Sequence, residues 1–326
     1  MGYKRVMLGL AATGAAMAAG AFLGERRVLQ KMDATPPPAG WRKPRFPDGN
    51  ELMVPTDDGA ELRVVFAGPE EGPVVVLVHG LTSNSDDWGP VAELLVAGGN
   101  RVIGVNQRGH GGSSVGTEGF GPARQGADLG QVLSALDLDG VTVVGHSMGG
   151  VAAMSLLTLR PETGAHRIGR LVLVATLADS GGPDRKLTLR LGDTAQYQEL
   201  ARHPRHAPAM ARVVFGRMPA RVMVDHALES NRACPPETRH GAAMGLLDYD
   251  VRDLLPTITV PTVVVCGDRD LLTPLRENRA IADAIAGAEL VVVEDVGHLI
   301  IWEAPERVVQ AIEAVAASAP QASHLQ

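Results

Sequence analysis

The chain has 326 residues, enough for one large α/β domain with an insertion or for two smaller domains. Hydrophobic residues make up 45% and charged residues 21%, the values of an ordinary globular protein. A formal net charge of −7 and the lack of any long Lys/Arg cluster argue against a nucleic-acid partner. Cys234 and Cys266 are the only cysteines and lack metal-ligand spacing; Cys266 lies in the apolar run TVVVC and is read as a small buried residue. No metal and no cofactor is expected.

Val6 to Gly24 contains no charged residue, with Lys4 and Arg5 before it and Glu25, Arg26 and Arg27 after it. A basic flank and an apolar stretch fit a signal peptide, with Ala16-Met17-Ala18 as a small-x-small cleavage site. The length fits an uncleaved anchor equally, although Ala and Gly insert weakly compared with Leu and Ile. Either way residues 1–24 predict a membrane-anchored or secreted, cell-envelope location, with membrane association through residues 6–24. Residues 25–50, including DATPPPAGWRKPRFPDGN, are rich in Pro and polar groups and lack periodicity, which reads as a linker. The folded domain is expected to start near Glu51.

From there short apolar runs alternate with amphipathic segments. The runs are ELRVVFAG (61–68), PVVVLVHG (73–80), RVIGVNQ (101–107), GVTVVGHS (140–147), GRLVLVAT (169–176), PTVVVCGD (261–268) and ELVVVEDV (289–296). Several are continuous Val/Leu stretches, which suits strands buried on both faces of a parallel sheet. The first two are candidates for an antiparallel pair at the edge. Helical stripes lie between them, among them Val91/Leu94/Leu95, Ala152/Leu156/Leu157, Ile281/Ile285 and Val308/Val309/Ile312/Val315. The alternation predicts an α/β fold, a doubly wound and mostly parallel sheet, formed by residues 51–180 and 256–319 and followed by a 320–326 tail. Residues 181–255 break the alternation with helix-like pieces and read as an insertion over the sheet.

Gly145-His146-Ser147-Met148-Gly149 is a G-x-S-x-G placed between a strand and a helix. The glycines allow a sharp turn that lifts the Ser147 hydroxyl clear of the sheet, and the helix N-terminus favours negative charge at the same spot. A serine hydroxyl needs a base, and the base needs an orienting carboxylate. His298 follows the last strand, where catalytic groups of such sheets collect, and Asp270 or Asp268 follows the strand before it. Attack on a carbonyl also needs N–H donors for the oxyanion. The backbone N–H groups of Met148 and of Leu81, in the loop His79-Gly80-Leu81, are the candidates; His79 is read as shaping that loop.

With HGLTSNSDDW (79–88), NQRGHGGSS (106–114), GHSMGG (145–150), GDRDLLTP (267–274) and GHLIIWEAPE (297–306) in this order, the chain resembles the α/β-hydrolase superfamily, serine esterase/lipase-like members above all. The resemblance implies Asp270, four residues before Pro274, as the acid; Asp268 supports the turn, and Asp179 is the fallback used in some relatives. It implies a mostly helical cap over 181–255. One departure is Asn106, where the family's D-x-R-G-x-G-x-S begins with aspartate; Arg108 and Ser113 are read as holding that loop.

These residues point to a serine hydrolase that cleaves a small-molecule ester or lipid-like substrate through an acyl-enzyme. Other triad chemistry on the fold (carbon–carbon, thioester or amide cleavage, cofactor-free haloperoxidation) and a non-catalytic binding protein are the alternatives. His203 and His206 in the cap flank Pro204 and read as solvated loop residues rather than metal ligands. Cap methionines Met210, Met218, Met223 and Met244, with Trp88 beside the oxyanion loop, suggest an apolar pocket.

Overall fold

Runs such as Val74–Val78 and Thr262–Gly267 have no polar face, so they are stable only where both faces of a strand are covered. The computed structural model describes residues 24–181 and 206–317, together with Lys186, Glu199 and His203, and it places these runs inside an eight-stranded sheet. The strands are β1 (Glu51–Pro55), β2 (Glu61–Ala67), β3 (Val74–Val78), β4 (Arg101–Val105), β5 (Val141–His146), β6 (Ile168–Val174), β7 (Thr262–Gly267) and β8 (Glu289–Val293). Their order is β1-β2-β4-β3-β5-β6-β7-β8. From β4 onward every pairing is parallel, whereas β1–β2 and β2–β4 are antiparallel.

The edge differs from the sequence reading. β2 pairs antiparallel not with β3 but with β1 and β4, while β3 is central and parallel. The strand β1 escapes the apolar-run criterion because only Val54 of its ELMVP segment is buried.

Alternate residues of each central strand feed two separate cores. Val75, Leu77, Val144, Val172, Val174, Val263 and Val265 face one core, with the helix α2 (Gly89–Ala97) and the C-terminal helix Pro305–Ala317. Val76, Val78, Val143, Leu171, Leu173 and Val264 face the other, with α3 (Pro122–Ala135), α4 (Met148–Leu159) and the helix Leu275–Ala284. The layers are therefore helix, sheet, helix, and the carboxyl ends of the parallel strands open onto one rim.

Residues 25–50, expected as a linker, pack on the domain. Residues 24–34 are helical (α1), and Met32 is fully buried while Phe46 is nearly so. Trp41 meets Trp302 edge-on at 6.0 Å, and the Phe46 N–H donates to Asp86 Oδ1 at 3.0 Å. These anchors are too widely spaced to leave a periodic trace. Glu25–His206 (2.7 Å), Asp33–Arg221 (3.5 Å) and Lys43–Glu229 (2.7 Å) join this strap to the segment above the sheet. That segment carries the helices Ala207–Ala211, Arg221–Ala233 and Pro236–Gly245. Residues 1–23, 318–326 and most of 182–205 lie outside the described residues, and with them the signal or anchor reading of 6–24. Among the described residues no helix is long and apolar enough to cross a membrane.

Candidate active site

Ser147 stands at the junction of β5 and α4 with φ 51° and ψ −117°, a conformation that an L side chain rarely adopts. Such strain costs on the order of 1–3 kcal/mol and persists only where the surroundings hold it. Here they do. The Ser147 N–H donates to Val174 O at 2.9 Å, and its carbonyl accepts from Thr176 Oγ1 at 2.7 Å and from the Gly150 N–H at 2.9 Å. The glycines of the motif are required by close approach: a Cβ on Gly145 would lie 2.5 Å from the Gly149 backbone, and one on Gly149 would lie 2.1 Å from Val78 O. Gly149→Ala should therefore lower stability by at least about 1–3 kcal/mol, the range for overpacking, and a chemical melt measures it.

The Gly80 backbone abuts the same turn, since a Cβ there would sit 3.2 Å from Ser147 Cβ. His79 holds this loop in place. Burial, with the neighbouring histidines adding to it, depresses its pKa to about 3, so the ring is neutral. Its Nδ1–H donates to Gly80 O at 2.7 Å, and its Nε2 accepts the Gln107 N–H at 3.0 Å. No hydrogen bond from the Leu81 N–H is found among the described residues. Met148 opens α4, where a helix leaves its N–H groups unpaired. The Met148 side chain is buried, with Gln125 Nε2 at 3.5 Å from its sulfur.

His298 lies in the loop after β8, and Asp270 in the loop after β7. His298 Nδ1 is 2.9 Å from Asp270 Oδ2. Asp270 is buried and every acceptor position on it is used: Oδ1 takes the N–H groups of Leu272 (2.8 Å) and Thr273 (2.9 Å), and Oδ2 also takes the Thr273 hydroxyl (2.6 Å). Burial pushes this carboxyl up, but His298 and the Thr273 donors outweigh it, and the net pKa lies below the ordinary value. Nδ1–H is thus directed at the carboxylate, which leaves Nε2 as the proton acceptor. Asp268 is exposed, and Asp179 is engaged with Arg252 at 3.0 Å, so neither orients His298.

Ser147 and His298 share no direct hydrogen bond among the described residues; such bonds commonly tighten only with substrate. His146 links them instead. Its ring lies 4.9 Å from that of His298, and its Nε2–H donates to His298 O at 2.9 Å. Burial above all holds its pKa at about 3, so it is a neutral brace.

Sequence reasoning missed Thr273 and His146, although both sit inside quoted motifs. Thr273→Val keeps the shape and removes the hydroxyl donor. It should cost about 1.5–3 kcal/mol of stability, the worth of a hydrogen bond to a charged group, and slow any reaction that depends on His298 by about tenfold. A urea melt beside a rate measurement checks both.

One sequence reading is corrected. Trp88 is fully buried and meets His146 edge-on at 6.2 Å, so it packs the core and does not line a substrate pocket. His206, read as solvated, is 36% exposed and also pairs with Glu25. The helix Arg221–Ala233 reaches the short helix Ser85–Trp88 through His226, whose Nε2 is 3.3 Å from the buried Asp87 Oδ1. Among the described residues no group of three or more His, Cys, Asp or Glu is arranged to hold a metal. Cys234 and Cys266 are both free thiols.

Residues 73–305 match the family model described as alpha/beta hydrolase fold. The chain is 28% identical over 265 residues to the non-heme chloroperoxidase of Streptomyces lividans, covering 78% of this chain and 95% of that protein. It is 25% identical over 271 residues to 3-oxoadipate enol-lactonase 1 of Acinetobacter baylyi, covering 80% and 95%. Among solved structures, the esterase from Exiguobacterium antarcticum superposes with a TM-score of 0.73 at 25% identity, over 82% of this chain and 99% of that one.

Proposed function

The chain belongs to the alpha/beta hydrolase fold family, and we propose that it is a serine hydrolase cleaving carboxylic esters of a small to medium apolar or lipid-like substrate. The carrying observation is the His298–Asp270 contact of 2.9 Å on the same rim as the strained Ser147. Ser147 Oγ attacks the ester carbonyl carbon while His298 Nε2 takes its proton. Asp270 fixes the imidazole tautomer and stabilises the imidazolium. The carbonyl oxygen, now an anion, receives the N–H groups of Leu81 and Met148. Collapse of the tetrahedral species expels the alcohol, which takes the proton back from His298. Water then attacks the acyl-enzyme by the same steps, releasing the acid and restoring the serine.

A second reading comes from the relatives named chloroperoxidase and enol-lactonase. It keeps the same three residues and changes the acceptor or the bond. A series of p-nitrophenyl esters of increasing acyl length tests the first reading, alongside fluorophosphonate labelling and a peroxide-dependent halogenation assay. Ester turnover that labelling abolishes supports it. Labelling without turnover of any ester overturns the ester assignment and leaves other triad chemistry.

A further inference from the structure

Gly216, in the segment above the sheet, and Gly297, beside His298, press backbone on backbone. A Cβ on Gly216 would lie 2.4 Å from Asp295 O and 2.5 Å from Gly297 N, and one on Gly297 would lie 2.4 Å from Gly216 N. At that distance side chains are excluded, and the two N–H groups cannot satisfy each other. Both turn to a single carboxylate. Glu303 accepts the Gly297 N–H at 2.8 Å through Oε2, and the Gly216 N–H at 3.0 Å through Oε1 and 3.2 Å through Oε2. The Leu299 N–H donates to Val214 O at 3.1 Å, which extends the seam by one more backbone bond. Glu303 comes back to this point because the short helix Ile300–Glu303 folds directly behind His298.

We propose that Glu303 is a positioning residue, joining the Val214–Arg217 segment and the Gly297-His298 loop into one unit, so that seating this segment over the sheet also places the histidine. The inference rests on the serine-hydrolase reading of His298. On its far side the His298 loop is already fixed: Arg269 N–H donates to Val296 O at 3.0 Å, and His146 holds His298 O. On the near side the Leu299–Val214 bond and the exposed Arg217–Asp295 pair (3.4 Å) also join the segments, but among the described residues Glu303 alone accepts the two glycine N–H groups. Removing its carboxylate leaves two partly buried N–H donors facing each other with no acceptor, and relief comes by parting the two segments. The imidazole then loses its register against Ser147, and small displacements of a catalytic group are costly in rate.

The test compares wild-type protein with Glu303→Ala and Glu303→Gln, well below their melting temperatures. The readouts are the rate of fluorophosphonate labelling, kcat and KM on p-nitrophenyl acetate, and amide hydrogen exchange at Gly216 and Gly297. Glu303→Ala should label at least about tenfold more slowly, with the loss in kcat rather than KM and with both amides exchanging faster together. Glu303→Gln keeps one acceptor oxygen and should recover part of the rate; it also serves if the alanine variant does not fold. A folded variant that labels within twofold of wild type, or faster exchange at only one of the two glycines, overturns the inference alone. Wild-type protein that folds but takes no label overturns the serine reading and this inference with it.

Discussion

Ser147→Ala should reduce turnover of p-nitrophenyl esters by at least about 10⁴-fold and abolish fluorophosphonate labelling, as expected when the nucleophile of a triad is removed. The melting curve should barely move. The Ser147 hydroxyl has no hydrogen-bond partner among the described residues, so no structural bond is lost. The fixed contacts of this residue are its N–H to Val174 O and its carbonyl to Thr176 and Gly150, and alanine keeps all of them. A second substitution separates chemistry from strain. With φ at 51° and ψ at −117°, Ser147 holds a conformation that glycine adopts freely. Ser147→Gly should be as inactive as Ser147→Ala yet at least as stable, although glycine in an unstrained position commonly costs about 0.5–1 kcal/mol. An alanine variant that keeps more than about one hundredth of the activity would remove Ser147 from the mechanism.

The parts of this site that were legible in the sequence are those where one residue type is forced by geometry. Gly145 and Gly149 leave no space for a Cβ, and glycine in those places marks a strand-to-helix turn. The continuous Val runs announced strands covered on both faces, because no other element buries so many β-branched residues in a row. The illegible parts depend on meetings between distant residues. Met32 and Phe46 are the buried anchors of a segment that composition describes as polar and Pro-rich, and nothing local reveals their burial. Glu303 reads as an ordinary helix residue until Gly216, 87 positions away, is found against it. Asn106 shows both situations at once. As a departure from the family pattern it suggested only a lost charge. In the fold its Oδ1 accepts the Ser85 N–H at 2.9 Å while its Nδ2 donates to Arg63 O at 3.1 Å, and an aspartate has no donor for the second bond.

The largest stability effect is expected at Arg108, which is fully buried. All five of its N–H donors are used: Nε and Nη2 to Asp128 (2.6 and 2.8 Å), Nη1 and Nη2 to Asp58 (3.0 and 3.1 Å), and Nη1 to Gly119 O (2.7 Å). Both carboxylates are buried as well. Arg108→Met keeps most of the volume and takes the cation from Asp58, while Asp128 keeps Arg124 (2.9 Å), so the fold should lose about 3–5 kcal/mol, as when one partner of a buried pair is removed. For a domain of this size that is a drop of roughly 6–12 °C in melting temperature. The pH dependence distinguishes this cause from simple packing loss. In the wild type the Arg108 hydrogen bonds, opposed by burial, hold Asp58 well below the ordinary carboxylate range. Its contribution is thus complete above the unfolded pKa of about 4 and is lost only as pH falls through the lower folded value. Without Arg108 the chief cause of that lowering is gone, and the folded pKa rises toward the unfolded one. The wild type then loses this contribution as pH falls below about 4 while the variant has less of it to lose, so acidification from about pH 4 toward 3 should narrow the gap to wild type. Urea midpoints across that interval measure the gap, and one that stays constant would assign the loss to packing rather than to stranded charge.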